Sequence, residues 1–164
     1  MEKSTDILFS RMIEYYSGNP EQIQHFMKVY LFARLIAQRE GVSDDLMRIL
    51  EVAAIVHDIG IKPAIAKYGS SAGPYQEELG MPEAETMLKA LGFDGKLIDR
   101  VVYLVGHHHT YTSIDGIDYQ ILVEADFLVN MYEGNMDKRA MKNALEKYFV
   151  TEAGKKIASQ MFEI

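Results

Sequence analysis

Four residues carry the chemistry this sequence offers: His25, the adjacent pair His57-Asp58, and Asp126. His57 and Asp58 close the run Glu51-Val-Ala-Ala-Ile-Val-His-Asp-Ile59, and Asp126 sits inside Leu122-Val-Glu-Ala-Asp-Phe-Leu-Val129. A carboxylate taken out of water costs several kcal/mol unless it is paired or bound to a cation. Two imidazoles with two carboxylates and no thiolate suit one divalent cation. That donor set does not choose among Mn, Fe, Co, Ni, Zn and Mg. Helical phase aims three of the four inward. His57 lies on the stripe of Leu46, Leu50 and Ala53, Asp126 on that of Tyr119, Leu122 and Val129, and His25 on that of Val29, Phe32 and Ile36. Asp58 is offset from His57 by about 100°, which suits two ligands reaching one ion from a helix end.

The elements that must position these residues read as helices. Ser4 or Thr5 is expected to cap a first helix reaching Tyr16. Asn19-Pro20 opens a second helix, apolar around most of its girth through Ile23, Phe26, Met27, Tyr30, Leu31 and Leu35 and again through Val29, Phe32 and Ile36. Such a helix is expected at the centre. Ser43 opens the third, which runs to Asp58-Ile59. From Ile61 to Pro82 the chain is rich in Pro, Gly and Ser, and an irregular stretch with one or two short helices is expected. Helices follow over 82–91, 94–106, 119–133, 137–149 and from Thr151 to the end, with a loop over 107–118. No alternating strand pattern appears, so the expectation is one all-α domain spanning residues 1–164.

Bulk properties set bounds on what such a site serves. The 164 residues are 48% hydrophobic, enough for a core. With 17 Lys+Arg against 24 Asp+Glu, the formal net charge of -7 makes broad nucleic-acid binding a poor expectation. There is no cysteine, so disulfides, thiolate metal sites and cysteine nucleophiles are excluded. The first residues lack the pattern of a signal peptide, and no apolar run approaches the roughly 20 residues that span a bilayer. A cytoplasmic protein without a membrane partner is the default reading.

The order histidine, His-Asp, aspartate resembles the HD-domain superfamily of metal-dependent phosphohydrolases. His25-Phe-Met-Lys28-Val29 is similar to that family's first motif, Ala53-Ala-Ile-Val-His57-Asp58-Ile-Gly60 to its central one, and Glu124-Ala-Asp126-Phe-Leu128 to its last. The resemblance covers about residues 20 to 133, with helices over about 137–163 completing the domain. It implies an all-helical bundle of the HD-domain type in which His25, His57, Asp58 and Asp126 bind the metal. His107-His108-His109 with Asp115-Gly116 is similar to the paired histidines of the cyclic-dinucleotide phosphodiesterase branch, but the spacing is stretched and no Gly-Tyr-Pro follows. The stretch Tyr75 to Gly80, where many two-metal members carry a further histidine, has none. One metal is therefore the simpler expectation.

The expected activity is hydrolysis of a phosphate ester of a nucleotide or other small phosphorylated metabolite by metal-activated water. Asp58 would hold the ion and orient the water, and Lys62 would meet the substrate phosphate as a mobile charge. His107, His108 and Lys28 are candidates for a second metal or for the substrate phosphate, and phase does not choose among His107, His108 and His109. Glu77 and Glu78 are candidates for a general base. A homodimer is open. Two other readings stand beside hydrolysis: a di-iron oxygenase of the same superfamily, and a non-catalytic metal- or nucleotide-binding regulatory module.

Overall fold

The computed structural model describes residues 3–164, among which nine helices and no strand occur. They are α1 (Lys3–Tyr15), α2 (Pro20–Glu40), α3 (Asp44–Val56), α4 (Ile61–Tyr68), α5 (Gly73–Ala90), α6 (Gly95–Val105), α7 (Ile117–Glu133), α8 (Lys138–Tyr148) and α9 (Glu152–Phe162). Local chemistry explains most of the boundaries. Asn19 Oδ1 accepts from Gln22 N at 3.0 Å ahead of Pro20, so α2 starts capped with proline in its first turn. It stops at Gly41, whose φ of 68° places it in the left-handed region that glycine tolerates. Ser43, Asp94, Asp137 and Thr151 likewise accept from backbone N–H groups at the starts of α3, α6, α8 and α9. The first helix departs from expectation: α1 already runs through Ser4 and Thr5, and Thr5 is buried within it rather than capping it.

The core forms where α2, α3 and α7 pack together, with α6 and α1 against α3 and α9 closing over α2 and α7. α2 is central on one side only. His25, Phe26, Val29, Tyr30, Ala33, Ile36 and Ala37 are buried, whereas Met27 and Leu31 face out, Leu31 at 62% exposure. The first apolar stripe read from the sequence is therefore split: Phe26 and Tyr30 join the core while Met27 and Leu31 lie on the face that meets no other helix.

The segment 61–82 is also more regular than its composition suggests. α5 runs unbroken from Gly73 to Ala90 with Pro82 inside it. Interior proline removes a helical donor and crowds the carbonyl one turn back, so tertiary packing must hold this helix. The packing is backbone to backbone. A Cβ on Gly60 would collide with the Gln76 carbonyl oxygen and lie 2.8 Å from Gly80 N, and one on Gly80 would lie 2.8 Å from Val105 Cγ1. Two glycines thus let α4, α5 and α6 touch directly beneath the His-Asp pair. On the far side, the fully buried Glu124 accepts from Gln120 Nε2 (2.7 Å), Thr151 Oγ1 (2.6 Å), Thr151 N (3.1 Å) and Val150 N (3.2 Å), tying α7 to the start of α9. No helix among the described residues is long and apolar enough to cross a membrane.

Candidate metal centre

Three helices bring the four residues together. His25 comes from the second turn of α2, Asp126 from the middle of α7, and His57 caps the C-terminus of α3 with Asp58 immediately after it. His25 Nε2 lies 3.2 Å from His57 Nε2, 3.1 Å from Asp58 Oδ2 and 3.1 Å from Asp126 Oδ1. His57 Nε2 lies 3.4 Å from each of the same two oxygens. All four residues are buried, His57 completely. The sequence-derived ligand set is thus one cluster of facing donor atoms.

The proton positions show why a cation suits it. His57 Nδ1 lies 2.7 Å from the Ala54 carbonyl and His25 Nδ1 lies 2.8 Å from Glu133 Oε1; both partners can only accept, so each Nδ1 carries the hydrogen. Both Nε2 atoms then turn lone pairs toward each other and toward two carboxylate oxygens. Protons on both rings satisfy the carboxylates but set two N–H groups against each other at 3.2 Å, whereas a single cation suits all four donors without that clash. Ligands held about 2.0–2.2 Å from an ion in tetrahedral or octahedral arrangement stand about 2.8–3.6 Å apart, and all five measured separations fall in that range.

Electrostatics point the same way. Burial works against a charged His25, yet hydrogen bonds from Asp126 and Asp58 push it up to about 11. His57 is pushed up to about 10 against the same burial, first by the charge of Asp58 and then by Asp126. Despite burial, Asp58 and Asp126 are held below the ordinary carboxylate range, Asp58 chiefly by the charge of His57 and Asp126 chiefly by its hydrogen bonds with His25 and His57. The cluster draws positive charge, as protons or as a metal ion.

A second ring of side chains orients the first. Glu133 accepts from His25 and lies 3.5 Å from Lys28 Nζ, Gln22 Nε2 donates to Asp58 Oδ2 at 3.0 Å, and Asn130 Nδ2 donates to Asp126 Oδ1 at 3.0 Å. Such partners fix ligand tautomer and basicity. The sequence reading missed all three, although a signal was present. Asp126, Asn130 and Glu133 recur at i, i+4 and i+7 along one helix, and Gln22 precedes His25 by one turn.

The remaining candidates separate. His108 points in: its Nε2 lies 3.3 Å from Asp58 Oδ1, and its Nδ1 donates to the Val105 carbonyl at 2.8 Å. His109 stands at the mouth, 3.1 Å from Gln76 Oε1. Gln76 Nε2 donates to the Ser71 carbonyl, which leaves its oxygen to accept from His109 Nε2. Burial, then the neighbouring His108, pushes His109 down to about 4. Asp58, His108 and His109 form a second grouping with metal-ligand spacing. His107 turns away, stacks on Tyr103 at 4.0 Å and donates to the Tyr103 carbonyl. Lys28 pairs with Glu133 and does not reach the cluster. Lys62 donates to the Tyr15 carbonyl at 3.0 Å and sits 4.8 Å over the Tyr15 ring, outside the mouth. Glu77 accepts from His109 N and Thr110 Oγ1, and Glu78 accepts from Tyr68 at the surface, so neither carboxylate is directed at the cluster. The mouth is a cavity of about 230 Å³ reaching His25 and Asp58, ringed by Gln22, Ile61, Gln76, His109 and Glu133.

Against known proteins, the family profile described as HD domain matches residues 23–155. A solved structure described as a predicted HD superfamily hydrolase, from an uncultured Thermotogales bacterium, is similar with a TM-score of 0.70. It is 24% identical over 96% of this chain and 84% of that one, a likeness of fold. No curated protein matches the chain.

Proposed function

The chain belongs to the HD-domain family, and from that premise we propose that it is a metal-dependent phosphohydrolase acting on a phosphate ester of a nucleotide or other small phosphorylated metabolite. The observation that carries this reading is that His25 Nε2 lies 3.1–3.2 Å from His57 Nε2, Asp58 Oδ2 and Asp126 Oδ1, with His57 Nε2 3.4 Å from the same two oxygens and all four residues buried. His25, His57, Asp58 and Asp126 would hold a divalent cation. Bound there, such an ion supplies Lewis acidity toward a phosphoryl oxygen and lowers the pKa of water to near neutrality.

The chain's own residues do the rest. Gln22 and Asn130 fix the two carboxylates, and Glu133 keeps the His25 proton on Nδ1. Asp58 divides its oxygens, Oδ2 toward the cluster and Oδ1 toward His108, and so places an acceptor where an attacking water is oriented. His109 Nε2–H is spent on Gln76 Oε1, which fixes that ring at the mouth with Nδ1 as an acceptor for a substrate hydroxyl or a water. Val56 and Ile59, which flank the His-Asp pair, are fully buried.

The test is turnover across a panel of phosphate esters with added Mn or Co, alongside elemental analysis of protein purified without chelator. Asp58→Ala is expected to lose both bound metal and hydrolysis, and full turnover by that variant would overturn the mechanism. No turnover by the metal-loaded wild type across the panel would favour a regulatory binding module instead. The grouping of Asp58, His108 and His109 supports one further reading, dioxygen-dependent chemistry with two irons. Two iron atoms per chain with oxygen uptake would select it.

A further inference from the structure

Beside the mouth lies a second concavity that the proposed chemistry does not use. It encloses about 210 Å³ between the end of α1 and α4, and Tyr15, Tyr16, Asn19, Ile61, Lys62 and Ile65 form its walls. Ile61 lines both cavities, and Asn19 is joined to the rim of the mouth through its bond from Gln22 N. The two spaces are therefore neighbours across one isoleucine. Tyr16 forms the partition: its hydroxyl donates to the Asp58 carbonyl at 2.6 Å, so the ring ends at the backbone of a proposed metal ligand. Tyr15 is pinned in the same way, its hydroxyl donating to the Ile59 carbonyl at 3.1 Å. Both phenols are spent on backbone, so these residues turn ring and not hydroxyl to the space; Tyr16 is only 4% exposed, and Lys62 Nζ lies 4.8 Å over the Tyr15 ring.

We infer that this notch is the subsite for the organic part of the substrate, and that it takes a planar heteroaromatic group, the base of a nucleoside phosphate whose phosphate lies in the mouth. The inference rests on the phosphohydrolase reading for the second half of that sentence and on the notch alone for the first. Rigid aromatic and aliphatic walls with few polar groups are what a flat ring requires. Ile65 is 53% exposed at the rim, positioned to cover one face of such a ring. Lys62 supplies the polar contact. Its amine is anchored by the Tyr15 carbonyl but has three hydrogens, so it retains donors for a ring nitrogen or carbonyl oxygen of the base. The lysine that the sequence placed at the phosphate thus recognises the other end of the molecule. An alkyl phosphate would use the walls but leave the Lys62 donors without a partner.

The experiment is calorimetric titration of the Mn-loaded wild type, Ile65→Asp and Lys62→Met with adenosine, adenosine 5′-monophosphate and ribose 5-phosphate, with metal content measured for each protein. The wild type is expected to bind the nucleotide about tenfold or more tighter than ribose 5-phosphate, the scale of one base stacked on aromatic walls. That ratio is expected to collapse in Ile65→Asp and to fall severalfold in Lys62→Met while Mn stoichiometry holds. Equal wild-type affinity for nucleotide and ribose 5-phosphate, or an unchanged ratio in both variants, would overturn the subsite. If adenosine binds and is lost in Ile65→Asp while no phosphate ester is hydrolysed, the subsite stands and the phosphohydrolase reading falls. If esters are hydrolysed with no preference for a base, the reverse holds.

Discussion

At the scale of single residues, the site turns on where protons sit. Glu133 holds the Nδ1 hydrogen of His25 and thereby presents Nε2 to the cluster. Removing the charge while keeping the shape separates this role from packing. Glu133→Gln is expected to weaken Mn affinity by about 10–100-fold in calorimetric titration with the fold intact, and an unchanged affinity would make the contact incidental. The metal-free protein also carries a pH signature. His25 and His57 are raised to about 11 and about 10, so their protonated forms stabilise the folded chain. That contribution is complete below their ordinary value of 6.5 and is lost as pH rises toward 10–11. Asp58 and Asp126 are lowered, so theirs is present above the ordinary carboxylate value and lost only in acid. Thermal melts with chelator are expected to decline steadily above pH 7, and saturating Mn is expected to flatten that decline because the ion replaces the protons. Parallel curves with and without Mn would count against a shared site. The residues of the cluster were legible at this scale because a histidine or aspartate on an apolar helical stripe is a visible anomaly. Glu133 escaped because it ends its helix partly exposed.

Among the elements, the junction of α3, α4 and α5 matters most, since Asp58 emerges from it. Gly60 has an ordinary negative φ of -74°, so its requirement is space and not backbone freedom. Gly60→Ala must push α5 off the Gln76 carbonyl and Gly80. The expected loss is about 1–3 kcal/mol, read as a lower urea midpoint with unchanged m-value, together with reduced metal content as Asp58 shifts. A variant of wild-type stability would show the contact to be slack. Here the sequence was hardest to read. The cluster of Pro63, Gly69, Gly73, Pro74, Gly80 and Pro82 suggests irregular chain, and most of these residues instead lie in two helices. Gly80 is there for close approach to Val105, and Pro82 lies in a helix that α4 and α6 pack against. Local propensity does not report such tertiary clamps. The turn after α6 was unreadable for a related reason. Helical phase stops meaning anything once the helix ends at Val105, so it could not separate the three histidines that follow.

Over the whole molecule, the metal is expected to act as a fold component, because its ligands come from α2, α3 and α7, the helices that build the core. An ion present at 100 times its dissociation constant adds about 2.7 kcal/mol. Chelation should therefore lower the melting temperature by roughly 5–10 °C for a chain of this length, reversed by adding Mn back. A melting temperature indifferent to chelator and to Mn would argue that no ion bridges these helices. The net charge of -7 adds a second consideration, since an anionic substrate must be drawn in by local positive charge. A cation held by the cluster would supply it at the mouth, with Lys62 beside it, while Lys28 is held by Glu133. What the sequence determined by itself is the helical class and the inward phase of its buried histidines and aspartates, because helical periodicity arises from hydrogen bonds between residues four apart and needs no knowledge of the rest of the chain. Only the tertiary structure decided that His57, Asp58 and Asp126 each come within 3.1–3.2 Å of His25 Nε2, that His108 and not His107 joins them, and that Lys62 lines a separate notch. Those outcomes depend on where turns aim the chain and on which helix faces meet, and both are settled by packing between residues far apart in sequence.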